Sequence, residues 1–178
     1  MSLIFKLILL LAKYLPIFSH WLGRAVSWCS LLLVLLVFVV ATMRYVFKIG
    51  SIPMQEIIIY LHGMIFMLAA SYTLASDEHV RVDVFYARMS DKGRAWVNLF
   101  GTVFLLFPVC WFIFSNSLDY VLLSWRVGES SSEAGGLPYL YLLKSLLLLM
   151  PALVALQGLS TVIRCSYKLL GIEAKISD

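Results

Sequence analysis

An all-α integral membrane protein, with four spanning helices and an amphipathic surface helix at its N-terminus, is the fold class this sequence predicts. Three observations predict it. The 178-residue chain is 62% hydrophobic and only 13% charged, with a mean hydropathy of +0.93, whereas a soluble domain is about 45–50% apolar and about 25% charged. Its apolar runs reach spanning length and are separated by short breaks rich in charge or in Gly and Pro. Its lysines and arginines are concentrated in alternate breaks. A core of this size cannot hide so much apolar surface, so lipid must solvate much of it.

The elements follow in order within a single membrane domain, 1–178. Residues 3–15 are expected to form a helix lying at the membrane surface. At about 100° per residue, Lys6, Lys13, His20 and Arg24 share one narrow stripe, and lysines on such a stripe reach toward headgroups. Pro16 should kink or break this helix; the competing reading is a plain extension of the first span. A signal peptide fits less well, since no basic region precedes the apolar part and no A-x-A site follows. The first span is expected over about 25–45, closed by Arg44, Tyr45 and Lys48, with Gly50, Ser51 and Pro53 making the turn. The second runs over about 54–76. The third, over about 95–125, is longer than a bilayer needs, so it should tilt, protrude or bend at Pro108, with Ser90 as its N-cap. The fourth, over about 138–170, opens after Gly135, Gly136 and Pro138.

Orientation follows from the basic residues. The N-terminal segment, the 77–94 loop and the C-terminal tail hold ten of the fourteen. The bias places both termini and the middle loop in the cytoplasm of a multi-pass protein.

With that topology, four ionisable groups fall in the outer leaflet: Arg44 ending the first span, Glu56 beginning the second, Asp119 in the third and Lys144 in the fourth. Such groups are costly at that depth and usually pair or face protein. Lys144 is expected to pair with Glu56 or Asp119; separate snorkelling of each group is the alternative. His62 is the one histidine within a span. Haem ligation in a membrane anchor usually takes two axial ligands, and neither His20 nor His79 lies at spanning depth, so a polar or partner contact is the expected role. Catalytic sets, metal-spaced clusters and phosphate-binding loops are missing from the sequence, and the three dispersed cysteines suggest neither a disulfide framework nor a redox pair. An enzyme is therefore not expected, nor a cofactor in this chain. The charge of +4, spread among loops, gives no nucleic-acid footprint. In the 77–94 loop, alternation in HVRVDVF sets His79, Arg81 and Asp83 on one side and valines on the other, suiting a short amphipathic piece on the membrane or a partner.

Two stretches carry a family resemblance. Gln55-Glu56 opening the second span, followed by AASYTLASDEHVRVDVFYARMSDKGRAWVNLFG, resembles the small membrane subunit of tripartite ATP-independent periplasmic (TRAP) transporters. SWRVGESSSEAGGLPYLYLLKSLLLLMPALVALQGLS continues the likeness, with GGLP, the following lysine and the late Gln-Gly in family-like places. The resemblance implies sodium-coupled uptake of organic acids by a bacterial inner-membrane assembly. In it, a periplasmic binding protein delivers substrate, a large membrane subunit carries the substrate and sodium sites, and a small four-helix subunit widens the scaffold among membrane lipids. The outer loop 126–136, with Glu129 and Glu133, then suits a solvent- or protein-facing role. The second and fourth spans carry the family-like positions, so Gly63 and Gly158 are expected at the interface with the large subunit. Two other classes compete: a haem- or quinone-bearing anchor of a respiratory oxidoreductase, using His62, and a self-sufficient homo-oligomeric transporter, with Glu56 as coupling carboxylate.

Overall fold

The structure, a computed structural model, describes residues 3–78, 86 and 88–171. These residues form four helices and no strand, and all four helices are long and apolar enough to cross a membrane. They are α1 (Leu3–Tyr45), α2 (Ile52–Ala75), α3 (Asp91–Val127) and α4 (Leu140–Leu169). The 46–51 and 128–139 connections lie at the end of the bundle away from the termini, here called the far face. His79, Arg81 and Asp83 lie outside the described residues.

The expected division of α1 at Pro16 is not made. The helix is continuous for 43 residues, about 65 Å at 1.5 Å per residue, which exceeds the full thickness of a bilayer. The reason is tertiary: Pro16, Ser19, Gly23 and Val26 are all buried, and their 3-4-3 spacing makes a seam against α2 and α4. At Gly23 the absence of a side chain is obligatory, because a Cβ there would lie 2.4 Å from two ring atoms of Tyr72 on α2. Ser19 donates a 3.0 Å hydrogen bond to the Gln157 side chain of α4, and both residues are buried.

The far turn is built from Ser51, which precedes α2 in an extended conformation, and Pro53 in the first helical turn, where its missing N–H costs nothing. At the other end of the bundle, Ser90 accepts from the Gly93 N–H at 3.3 Å and caps α3.

Within α3 the five residues Thr102–Leu106 form a π-helical turn, and the Phe107 N–H reaches back five residues to the Thr102 carbonyl. Pro108 follows at once. A proline inside an α-helix lacks a donor and presses on the carbonyl four residues earlier; widening the preceding turn relieves both problems. The widened turn packs on Gly158 of α4, where a Cβ would come within 2.9–3.2 Å of Leu106, Phe107 and Thr102.

The helix α4 is central. It touches each of the other three helices, whereas α1 and α2 pair on one side and α3 packs chiefly on α4 from the other. Over its most apolar stretch α4 is 28% buried, against 6–11% for the other three. Small polar residues, Ser71 of α2, Ser124 of α3 and Ser160 of α4, are among the most completely buried side chains, as expected where helix association depends on backbone approach. Gly158 faces α3 in this way, and Gly63 meets Leu143 of α4 at 3.1 Å. Gly158 is buried against the π-turn of α3, whereas Gly63 is half-buried.

Candidate functional site: a clasp at the far face

Glu56 sits on the second turn of α2. Its carboxylate accepts hydrogen bonds from the Ser131 hydroxyl and from the Leu137 backbone N–H, the latter at 2.5 Å. Both donors belong to the connection between α3 and α4. That connection is itself folded: Gly128 ends α3 in the left-handed region at φ 58°, and Ser131 donates its backbone N–H to the Leu137 carbonyl at 3.0 Å. The exposed Glu133 gives its own backbone N–H to the Ser131 hydroxyl oxygen at 3.1 Å and accepts from the Gly136 N–H at 3.0 Å. Gly135 adopts φ 78°, which a side chain would disfavour. Gly136 is required for space, since a Cβ would stand 2.5 Å from Ser131 Oγ and 2.8 Å from Glu56 Oε1. Pro138, on the surface, precedes α4.

A second tie joins the same loop to α4. Lys144 Nζ lies 2.5 Å from Glu129 Oε2 and 3.9 Å from the centroid of the Tyr120 ring. The expected pairing of Lys144 with Glu56 or Asp119 is thereby corrected. Gly128 turns the chain back at the end of α3, so the loop carboxylate of Glu129 reaches Lys144 first, while Glu56 is already occupied by Ser131 and Leu137. The Lys144 ammonium beside Glu129 holds that carboxyl below the usual carboxylate range. Next to this tie, Trp125 Nε1 donates to Ser145 Oγ at 2.8 Å, and its ring meets Tyr141 edge-on at 4.7 Å between centroids.

The clasp therefore binds the α3–α4 connection to α2 through Glu56 and to α4 through Lys144. Because α2 and α3 do not pack substantially on each other, it is the far-face link between the two sides of α4. Its contacts tie chain segments together. The Glu56 carboxylate is occupied by the Ser131 and Leu137 donors, and Glu129 is held by Lys144. Among the described residues no three His, Cys, Asp or Glu side chains come together. His62, exposed on α2, borders an apolar groove of about 470 Å³ with Gly63, Leu143, Lys144, Tyr120 and Glu129. His20 is instead edge-on to Tyr72 at a 5.4 Å centroid distance, about 15 Å further along α2 from His62 at 1.5 Å per residue. The two histidines do not converge as an axial pair.

The remaining candidates point elsewhere. Gln55 is exposed beside Glu56, and Arg44 and Asp119 are exposed on the outside of α1 and α3. Ser131, Ser145, Gly23 and Tyr72 are structural participants that sequence reasoning did not single out, and Trp125, whose position near the end of the third span suits an interfacial anchor, also bonds Ser145. The two close approaches at Gly23 and Gly136 have a faint signature, a glycine whose loss of chain entropy must be repaid by contact. The serine partners have none.

Comparison with known proteins agrees with this architecture. No curated protein and no solved structure matches the chain. The model of the family described as "Tripartite ATP-independent periplasmic transporters, DctQ component" matches residues 33–166, a stretch that includes the far end of α1, all of α2 and α3, the whole clasp and most of α4. The match covers well over half of the chain, and the chain belongs to the DctQ family, the small membrane component of TRAP transporters.

Proposed function

We propose that this chain is the accessory scaffold subunit of a sodium-coupled TRAP transporter that imports an organic acid captured by a periplasmic binding protein. It works beside a separate large membrane subunit, which carries the substrate and sodium sites. The chain itself performs no catalysis and needs no cofactor. It sits in a bacterial inner membrane with both termini in the cytoplasm, so the clasped loop faces the periplasm.

The observation that carries this reading is the central position of α4 in a chain of the DctQ family. Every other helix packs on α4 and turns broad apolar surface outward. A groove of about 720 Å³ between α3 and α4 is lined by apolar residues such as Val103, Phe107, Trp111 and Pro151. A transporter passage needs polar groups lining it at depth; an apolar groove suits lipid or a neighbouring helix. The clasp gives the far face a rigid loop, as a surface that a binding protein touches would require.

Reconstitution tests the reading. Proteoliposomes holding this chain with the large subunit and the binding protein should accumulate a labelled organic acid when a sodium gradient is imposed. Omission of any one component, or of sodium, should abolish uptake. Uptake by this chain alone would overturn the scaffold role, and a Soret band in the purified chain would favour a haem anchor instead.

A further inference from the structure

The helix α3 carries two seams. Cys110, Val121 and Ser124 are buried and face α4. On the opposite side of the helix, at about 100° per residue, Phe112, Ser115, Asp119, Leu122 and Arg126 are all exposed. Their spacing of 3, 4, 3 and 4 is the repeat of a helix packed left-handedly on another helix. Among the described residues, this second seam is exposed.

The seam is unsuited to lipid. Asp119 lies eight residues before Val127, about 12 Å down the helix, and six before Trp125, an exposed indole of the kind that anchors at the interface. Among the described residues no hydrogen bond or ion pair reaches its carboxylate. Asn116 beside it gives its amide only to the Phe112 carbonyl, at 2.8 Å. A carboxylate in hydrocarbon is costly, and aspartate is too short to reach the headgroups as lysine can.

Resting on the scaffold reading above, we infer that this seam of α3 docks a transmembrane helix of the large membrane subunit, one that carries an arginine or lysine opposite Asp119. Charge complementarity selects that occupant. A lipid phosphate would repel Asp119. A second copy is disfavoured as well: copies inserted with the same orientation are related by an axis along the membrane normal, so Asp119 would meet Asp119 at the same depth. Ser115, one turn below Asp119, folds its hydroxyl onto the Trp111 carbonyl at 2.8 Å and leaves room for close approach of the partner backbone.

The test uses membranes of cells making the whole transporter. A photo-crosslinking amino acid replaces Ser115 or Leu122 on this seam, or Val34 or Phe38 on the exposed face of α1. Adducts are identified by mass spectrometry. The seam positions should join the large subunit and the α1 positions should not. In parallel, Asp119→Lys should lower co-purification of the large subunit by roughly tenfold or more, Asp119→Glu should retain it, and a basic-to-acidic change in the crosslinked helix should restore Asp119→Lys. Adducts to the large subunit from α1 alone, adducts to a second copy, or full co-purification of Asp119→Lys would each overturn the inference. Those outcomes leave the scaffold reading standing. Failure of the unmodified chain to co-purify with any large membrane subunit would overturn the scaffold reading itself. The crosslinking arm keeps Asp119 intact, so it decides the matter even if the lysine variant does not fold.

Discussion

Gly23→Ala is expected to destabilise the chain out of proportion to the single methyl it adds. The new Cβ would stand 2.4 Å from Cδ2 and Cγ of Tyr72 and 2.9 Å from its Cβ, whereas carbons normally meet at about 3.5–4.0 Å. The intruded atoms belong to a ring and its root, so no flexible tip can swing aside. The α1–α2 pair must separate by about an ångström, or Tyr72 must leave its contact with His20. Overpacking of this kind costs about 3 kcal/mol, at the upper end of the usual range. Removing a helical glycine returns about 1 kcal/mol, leaving a net loss of about 2 kcal/mol. Gly101→Ala is the internal control: it is also helical, yet nothing lies within 4 Å of its added Cβ, so it should gain up to about 1 kcal/mol. Tryptophan-fluorescence melting in detergent should place the two variants on opposite sides of wild type. For a chain of this size about 2–4 °C accompanies each kcal/mol. Tyr72→Ala should relieve Gly23→Ala specifically. Equal melting temperatures for Gly23→Ala and Gly101→Ala would refute the close approach and the continuous α1 that depends on it.

The clasp makes further predictions. Glu56→Ala should speed amide exchange at Leu137 and along the 129–137 loop, with Glu56→Gln intermediate because one acceptor oxygen remains; unchanged exchange in both would remove Glu56 from the clasp. Gly136→Ala, whose Cβ intrudes on Ser131 and Glu56, should loosen the same loop without altering exchange on the opposite side of the bundle. The Glu129 carboxyl is depressed in the folded chain, so its tie to Lys144 is fully formed above the ordinary carboxylate value near 4.5 and is lost only as pH falls through the lower, folded value. Loop exchange corrected for intrinsic rates should thus stay flat from neutral pH down to the ordinary carboxylate value and rise only below it, and Glu129→Gln should make that rise smaller. Gly158→Leu should lower the melting temperature of the isolated chain, because its target is the π-turn of α3. A loss confined to binding of the large subunit would contradict that placement.

Particular residues show what could be read beforehand. The four apolar runs, the Ser90 cap and the trouble expected near Pro108 are all local properties of the chain, governed by period, propensity and missing donors. The π-turn that resolves the Pro108 problem is not local, because it also presents Thr102, Leu106 and Phe107 to Gly158. Glu56 and Lys144 stand out in the sequence as charges in apolar runs, yet their partners are loop groups. Ser131, Leu137 and Glu129 look like ordinary members of a polar loop until Gly128 and Gly135 fold it back. The charge pairing expected between spans failed because helix rotation decides which way a side chain points, and rotation is set by packing on α4.

Composition and hydrophobic run length by themselves determined that this protein is a membrane-embedded bundle of four helices, and the motifs around Glu56 and Gly136 placed it in its family. Those properties follow from the transfer of apolar side chains into lipid, which each segment satisfies on its own. Which charges meet, whether Pro16 breaks α1, and which face of α3 packs on α4 were decided only by tertiary structure. Each depends on how two helices turn toward one another, and in a membrane that choice rests on close contacts of small residues rather than on hydrophobicity, which favours every apolar face alike.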